Sequence, residues 1–192
     1  MRPHRTRATG LVDLLVGTAL AAVSLAALAA AVASGGRLLL AAGARGEAED
    51  TVQLGVEALT FDARRAGYDP TASGVVPVAE ARQDRVTFSA DLDGTGTVDA
   101  GSEEVTTHLC SVATGRLSRI IGRQSMPLAE GVTFCGFNYL DGAGLPIAVP
   151  ASGLDAVARA RVRAVALDLE LQPPGLRGRT SRTIVVALRR SP

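Results

Sequence analysis

The residues that could do chemistry lie in one short acidic stretch and in two cysteines. Asp91-Leu92-Asp93-Gly94-Thr95-Gly96-Thr97-Val98-Asp99 places acids where a calcium loop has its first, third and ninth ligands, with Thr95 fifth and Gly96 sixth. Calcium takes carboxylate, hydroxyl and carbonyl oxygens, so Asp91, Asp93, Thr95 and Asp99 form a possible calcium site. The twelfth position, normally a bidentate Glu, is Ser102, and Glu103 and Glu104 follow it. No helix is predicted on either side, so this is not an EF-hand. The same residues also suit a Gly-rich turn between two strands, with Asp and Gly serving turn geometry. Both readings stand at this level.

Cys110 and Cys135 are the two cysteines, expected on neighbouring strands of a part predicted to be exported. A bridge would close a loop of about 24 residues and stabilise the fold by roughly 3 kcal/mol. Two buried thiols are the alternative. His108 and Cys110 lie two apart and share a strand face, but zinc needs further ligands and a bridged Cys110 would remove the pair. No Gly-x-Ser-x-Gly turn accompanies His108, and no phosphate loop or dinucleotide fingerprint is present. The chain is therefore not expected to be an enzyme, and no catalytic residue is assigned.

Composition narrows the partners. The 192 residues suit one domain plus an anchor. Twenty basic residues, all Arg, offset 19 acids to leave +1, which is no nucleic-acid signature. Aromatics make up 3%, too few for a base-stacking platform.

The positioning elements begin with Leu11 to Ser34, which is apolar apart from Asp13. As a helix, its charge-free part from Leu14 spans about 30 Å, the thickness of a bilayer's hydrocarbon core. Arg2, Arg5 and Arg7 precede it, so that end stays cytoplasmic and the remainder crosses. A secretory signal peptide with Ala31-Val32-Ala33 as its cleavage site would fit the basic start, as would a plain anchor. Neither explains Asp13, since a carboxylate inside a bilayer costs on the order of 3 kcal/mol.

The stretch Ala8-Thr9-Gly10-Leu11-Val12-Asp13-Leu14-Leu15-Val16-Gly17 resembles the class III leader of type IV prepilins. The resemblance implies a prepilin peptidase that cuts after Ala8, making Thr9 the first mature residue, N-methylated, and Asp13 the fifth. Ala8 stands where the family has Gly, Thr9 where it has Phe, and Asp13 where it has Glu. A cut between Gly10 and Leu11 restores the Gly but leaves Asp13 third. Thr9 and Asp13 lie four apart on one helix face, so a freed amine at Thr9 can neutralise the acid within or between subunits. Alternatively Asp13 sits at the cytoplasmic interface as a helix N-terminal acid.

Beyond Gly35-Gly36 the helical pattern resumes, with Val52, Val56 and Leu59 as its stripe, Leu54 and Phe61 flanking, and Gly67 then Pro70 as its stop. Strands are expected at Arg85–Ala90, Val105–Val112, Leu117–Ile121, Val132–Tyr139, Ala164–Leu171 and Thr183–Leu188. Ala113-Thr114-Gly115, Met126-Pro127 and Pro173-Pro174-Gly175 separate them. The expected fold is α+β: a long N-terminal helix, half membrane and half amphipathic, packed on a mostly antiparallel sheet. Its divisions are a leader at 1–8, a transmembrane half at 9–34, an amphipathic continuation at 35–67 and a β-rich head at 68–192.

Phe61-Asp62-Ala63-Arg64-Arg65-Ala66-Gly67-Tyr68 is similar to the end of the spine helix in PilW-like minor pilins. Arg85-Val86-Thr87-Phe88 before the acidic stretch is similar too, as is Leu128-Ala129-Glu130-Gly131-Val132 before Phe137-Asn138-Tyr139-Leu140-Asp141. The resemblance implies a minor subunit of a type IV pilus or type II secretion pseudopilus, in the bacterial inner membrane with a periplasmic head. Its partners would be other pilins, met through the helix. The alternative is an exported β-rich binding module, anchored or secreted.

Overall fold

The computed structural model describes residues 9–172 and 179–189. The leader, Ala8 included, and the turn expected at Pro173-Pro174-Gly175 lie outside the described residues. Helix α1 runs over Thr9–Arg65, and its last turn carries Arg64 and Arg65, the charge that a helix C-terminus favours. Its hydrogen-bonded run passes through Gly35 and Gly36. Gly67 ends the segment at φ +73, and a Cβ there would stand 2.7 Å from Pro77 Cγ, so only Gly fits. Two compact units divide at Gly43/Ala44. In the first, Gly10–Gly36 is long and apolar enough to cross a membrane, with a mean hydropathy of 2.2.

The second unit combines the remainder of α1 with two antiparallel sheets, which makes the fold α+β. One sheet has five strands in sequential order: β1 (Val78–Ala81), β2 (Arg85–Ser89), β3 (Val105–Ser111), β4 (Arg116–Ile121) and β5 (Gln124–Glu130). The other contains β6 (Val132–Leu140), β7 (Pro146–Ile147), β8 (Ala164–Leu171) and β9 (Thr180–Ala187), in the order β7-β6-β8-β9. A short helix α2 (Ala156–Arg161) starts where Asp155 accepts the Ala158 N–H at 2.8 Å.

Three expectations need correction. The head contains two sheets, because the chain leaves β5 and enters β6 across Gly131 alone. Gly131 has φ +73, and a Cβ there would meet the Gln172 carbonyl at 2.9 Å. Met126-Pro127 is not a break: it lies inside β5, an edge strand, where the missing proline N–H costs the ladder nothing. Cys110 and Cys135 are bridged, but their strands are not neighbours: β3 and β6 belong to different sheets.

The core lies between these layers. Val165, Leu167, Leu169 and Leu171 of β8 are all buried, and alternate with the half-buried Ala164, Asp168 and Glu170. Phe137 and Tyr139 of β6 join them, α1 contributes Val52, Leu59 and Ala63, and Ala66 follows just beyond its end. Val56 is partly buried, while Leu54 and Phe61 are more than half exposed. Gly55 is buried, and a Cβ there would sit 3.5 Å from the Leu117 side chain, so its lack of side chain lets α1 approach β4.

The disulfide spans 25 positions and staples sheet to sheet. Replacing Cys110 and Cys135 together by Ala is expected to lower the unfolding free energy by about 3 kcal/mol in denaturant titrations. Thiol titration of the unreduced protein is expected to find none free.

Candidate functional site

The first candidate is the apolar span of α1 and its acid. Leu14, Leu20, Leu25 and Leu28 are each more than 60% exposed, so the apolar surface runs all round the helix rather than facing a core. Two of its hydroxyls bond back to the backbone: Thr18 Oγ1 to the Leu14 and Leu15 carbonyls, and Ser34 Oγ to that of Ala31. Asp13 is the exception, an exposed carboxylate in the second turn, one helical repeat beyond Thr9. Gly10 and Leu11, the alternative cleavage pair, belong to the same helix.

The second candidate is the acidic loop after β2. Asp91 is fully buried. Its Oδ1 accepts the N–H groups of Gly94 at 2.8 Å and Thr95 at 3.1 Å. Its Oδ2 accepts the Gly96 N–H at 2.9 Å and the Thr71 hydroxyl at 3.3 Å. Glu104 closes the loop from the other side. It accepts from the backbone N–H groups of Asp99 at 2.8 Å, Leu92 at 2.7 Å and Asp93 at 3.2 Å. The Asp99 bond, then that of Leu92, holds its carboxyl below the usual Glu range. Carboxylate oxygens of Asp91, Asp93 and Glu104 lie within 4.8 Å of one another.

Of the four expected calcium residues, the loop therefore brings Asp91 and Asp93 together, and Glu104 joins them. Asp99 turns away to accept the Gly101 N–H at 2.8 Å, and the Thr95 hydroxyl donates to the Thr97 carbonyl. Asp91 accepts three backbone N–H groups and shares the Thr71 hydroxyl with Asp69. These acids hold backbone amides, and that task needs no cation. Glu104 was hidden in the sequence because the loop is two residues longer than the calcium pattern allows.

A third constellation escaped sequence reasoning entirely. Asp62 of α1 is 3% exposed, and Arg119 of β4 grips it through Nε and Nη2, both at 2.7 Å. His108 of β3, itself buried, faces Asp62 Oδ2 through Nε2 at 2.8 Å. A carboxylate only accepts, so Nε2 carries the proton and donates. Burial works to raise the Asp62 carboxyl, but the Arg119 and His108 hydrogen bonds outweigh it and hold it below the usual Asp range. His108 and Cys110 thus form no metal pair: one binds Asp62 and the other Cys135.

The chain matches no family model and no curated protein.

Removing Arg119 leaves a buried carboxylate short of its main partner, so Arg119→Ala is expected to cost about 3–5 kcal/mol in denaturant unfolding. Replacing Asp62 and Arg119 together by Leu is expected to recover most of that loss. Acid sensitivity follows from Asp62 and Glu104, together with Asp69 and Asp141, which accept backbone N–H groups of their own loops. Asp62, Asp69, Glu104 and Asp141 are all lowered in the fold from ordinary values of 3.8 or 4.5. The unfolded chain thus binds more protons, and their stabilisation is complete above those values and lost as pH falls below them. Circular dichroism melts are expected to be level from about pH 7 to pH 5 and to fall steeply below about pH 4. Asp91→Ala removes the acceptor of the Gly94, Thr95 and Gly96 amides and is expected to cost about 2 kcal/mol, in EDTA as in calcium.

Proposed function

We propose that the chain is a type IV pilin-like subunit, a PilW-like minor pilin or the equivalent minor pseudopilin of a secretion filament. The observation that carries this reading is a single helix with two roles. Its first part, Gly10–Gly36, is long and apolar enough to cross a membrane and bears one acid near its start. Its last part buries Val52, Leu59 and Ala63 in an α+β head. A removable leader would end at Ala8, and prepilin peptidase would expose Thr9 as a new amine one turn before Asp13. The amine then compensates the acid within or between subunits, so that neighbours dock where the charge is matched. Other pilins meet this helix in the inner membrane, while the head stands in the periplasm, where the Cys110–Cys135 bridge persists. On this reading the protein catalyses nothing.

Asp13→Ala tests the assembly role. The variant is expected to partition into membranes like the native chain and to enter filaments at least about tenfold less, because assembly loses a charge match of more than about 1 kcal/mol. Asp13→Glu is expected to restore incorporation. Native incorporation of Asp13→Ala, scored by immunoblot of sheared filaments, would count against the proposal.

A further inference from the structure

Two features of the head meet along one side of β9. The first is its backbone. An exposed sheet edge presents unpaired N–H and C=O groups, and folded proteins blunt such edges. In this head most edges are blunted. β1 is four residues long with an irregular register, and its Ala81 carbonyl accepts the Leu154 N–H at 2.8 Å. β5 contains Pro127. β6 is met beyond β7 by other turns, since Phe137 N–H donates to the Gln83 carbonyl and Val132 N–H to that of Gly115. β9 is different. Thr180-Ser181-Arg182-Thr183-Ile184-Val185-Val186-Ala187 pairs with β8 residue for residue and without a bulge. It is rich in β-branched residues and contains no Pro, Gly or Lys. Among the described residues, no backbone group pairs with its other side.

The second feature is a groove of about 420 Å³ between β9 and the head portion of α1. Val52, Val56 and Ile184 supply its apolar surface, and Glu49, Asp50 and Arg182 its charges. None of the three charged groups has an ion-pair partner among the described residues. Alternate side chains of a strand laid on β9 would project into this groove, about 7 Å apart.

We propose that the β9 edge takes an extended strand from another polypeptide, whose face toward α1 carries one apolar and one basic side chain. Backbone pairing supplies the register, and the groove reads the side chains. The apolar side chain covers Val52, Val56 and Ile184. The basic one meets Glu49 and Asp50, which outnumber Arg182. The proposal does not depend on the filament reading.

The test uses the full-length protein in detergent micelles and a fluorescent octapeptide of alternating Val and Thr, with one inward-facing Val replaced by Arg. Saturable binding by anisotropy is expected, with slowed amide exchange over β9. The same peptide with Glu for Arg is expected to bind about tenfold more weakly. That preference is expected to collapse in Glu49→Gln combined with Asp50→Asn, two exposed positions whose change leaves the core intact. A peptide N-methylated on alternate amides cannot complete the ladder and is expected not to bind. Absence of saturable binding, equal binding of the N-methylated peptide, or a charge preference that survives the double variant would overturn the proposal. So would a dimer of the protein alone in ultracentrifugation with β9 amides already protected, which would assign the edge to a second copy.

Discussion

The seating of α1's last turns on the head is fixed by one buried carboxylate and its two partners. Asp62 stands where α1 leaves its last turns, and Arg119 and His108 reach it from two adjacent strands. Ordinary packing also holds α1 to the head, but the apolar stripe has little directional content. The bidentate grip of a planar guanidinium on a carboxylate fixes both the rotation and the height of the helix. Such a pair contributes little net stability compared with a well-packed apolar substitute, and its value lies in specificity. In this fold that specificity sets how the last turns of α1 lie against β3 and β4.

The same helix must suit two solvents. Over Gly10–Gly36 the surface is apolar apart from Asp13, and the Thr18 and Ser34 hydroxyls bond back to the backbone, as suits hydrocarbon. From Val52 onward one stripe is buried and the opposite face stays exposed. The head itself has few aromatic residues to fill a core, and it fixes its loops with carboxylates. Asp69 gathers the amides of Ser73, Gly74 and Val75. Asp91 and Glu104 gather those of the acidic loop, Asp141 those of Ala143 and Leu145, and Asp155 caps α2. Acids in a loop that reads as a cation site are thus also the means by which this protein orders its turns. Tyr139 plays a related part from within, its buried hydroxyl donating to the Arg82 and Arg85 carbonyls at 2.8 Å and so tying β6 to the β1–β2 hairpin.

Much of the fold was legible where the residue pattern reflects one buried face. The alternation of β8 shows in Val165, Leu167, Leu169 and Leu171 because their neighbours are small or charged. The end of α1 shows in Arg64, Arg65 and Gly67 because helix termini have their own chemistry. What stayed hidden depends on distant partners. Asp62 and Arg119 are 57 positions apart, and nothing local marks them as a pair. At Gly131 the chain changes sheets, and nothing in the neighbouring residues marks that change. Met126-Pro127 reads as a break because proline in a central strand is forbidden, and only the topology reveals that β5 is an edge. In the acidic stretch Asp91 and Asp93 were legible and Glu104 was not, since its role follows from the path of the loop.

The functional account rests on where the chain is cut. Mass spectrometry of the intact protein purified from its host membrane is the most direct measurement. The account predicts a mature chain that begins at Thr9, retains the whole apolar span, and carries one methyl group on its terminal amine. A chain that starts beyond Ser34, or one that still carries Met1, would contradict it.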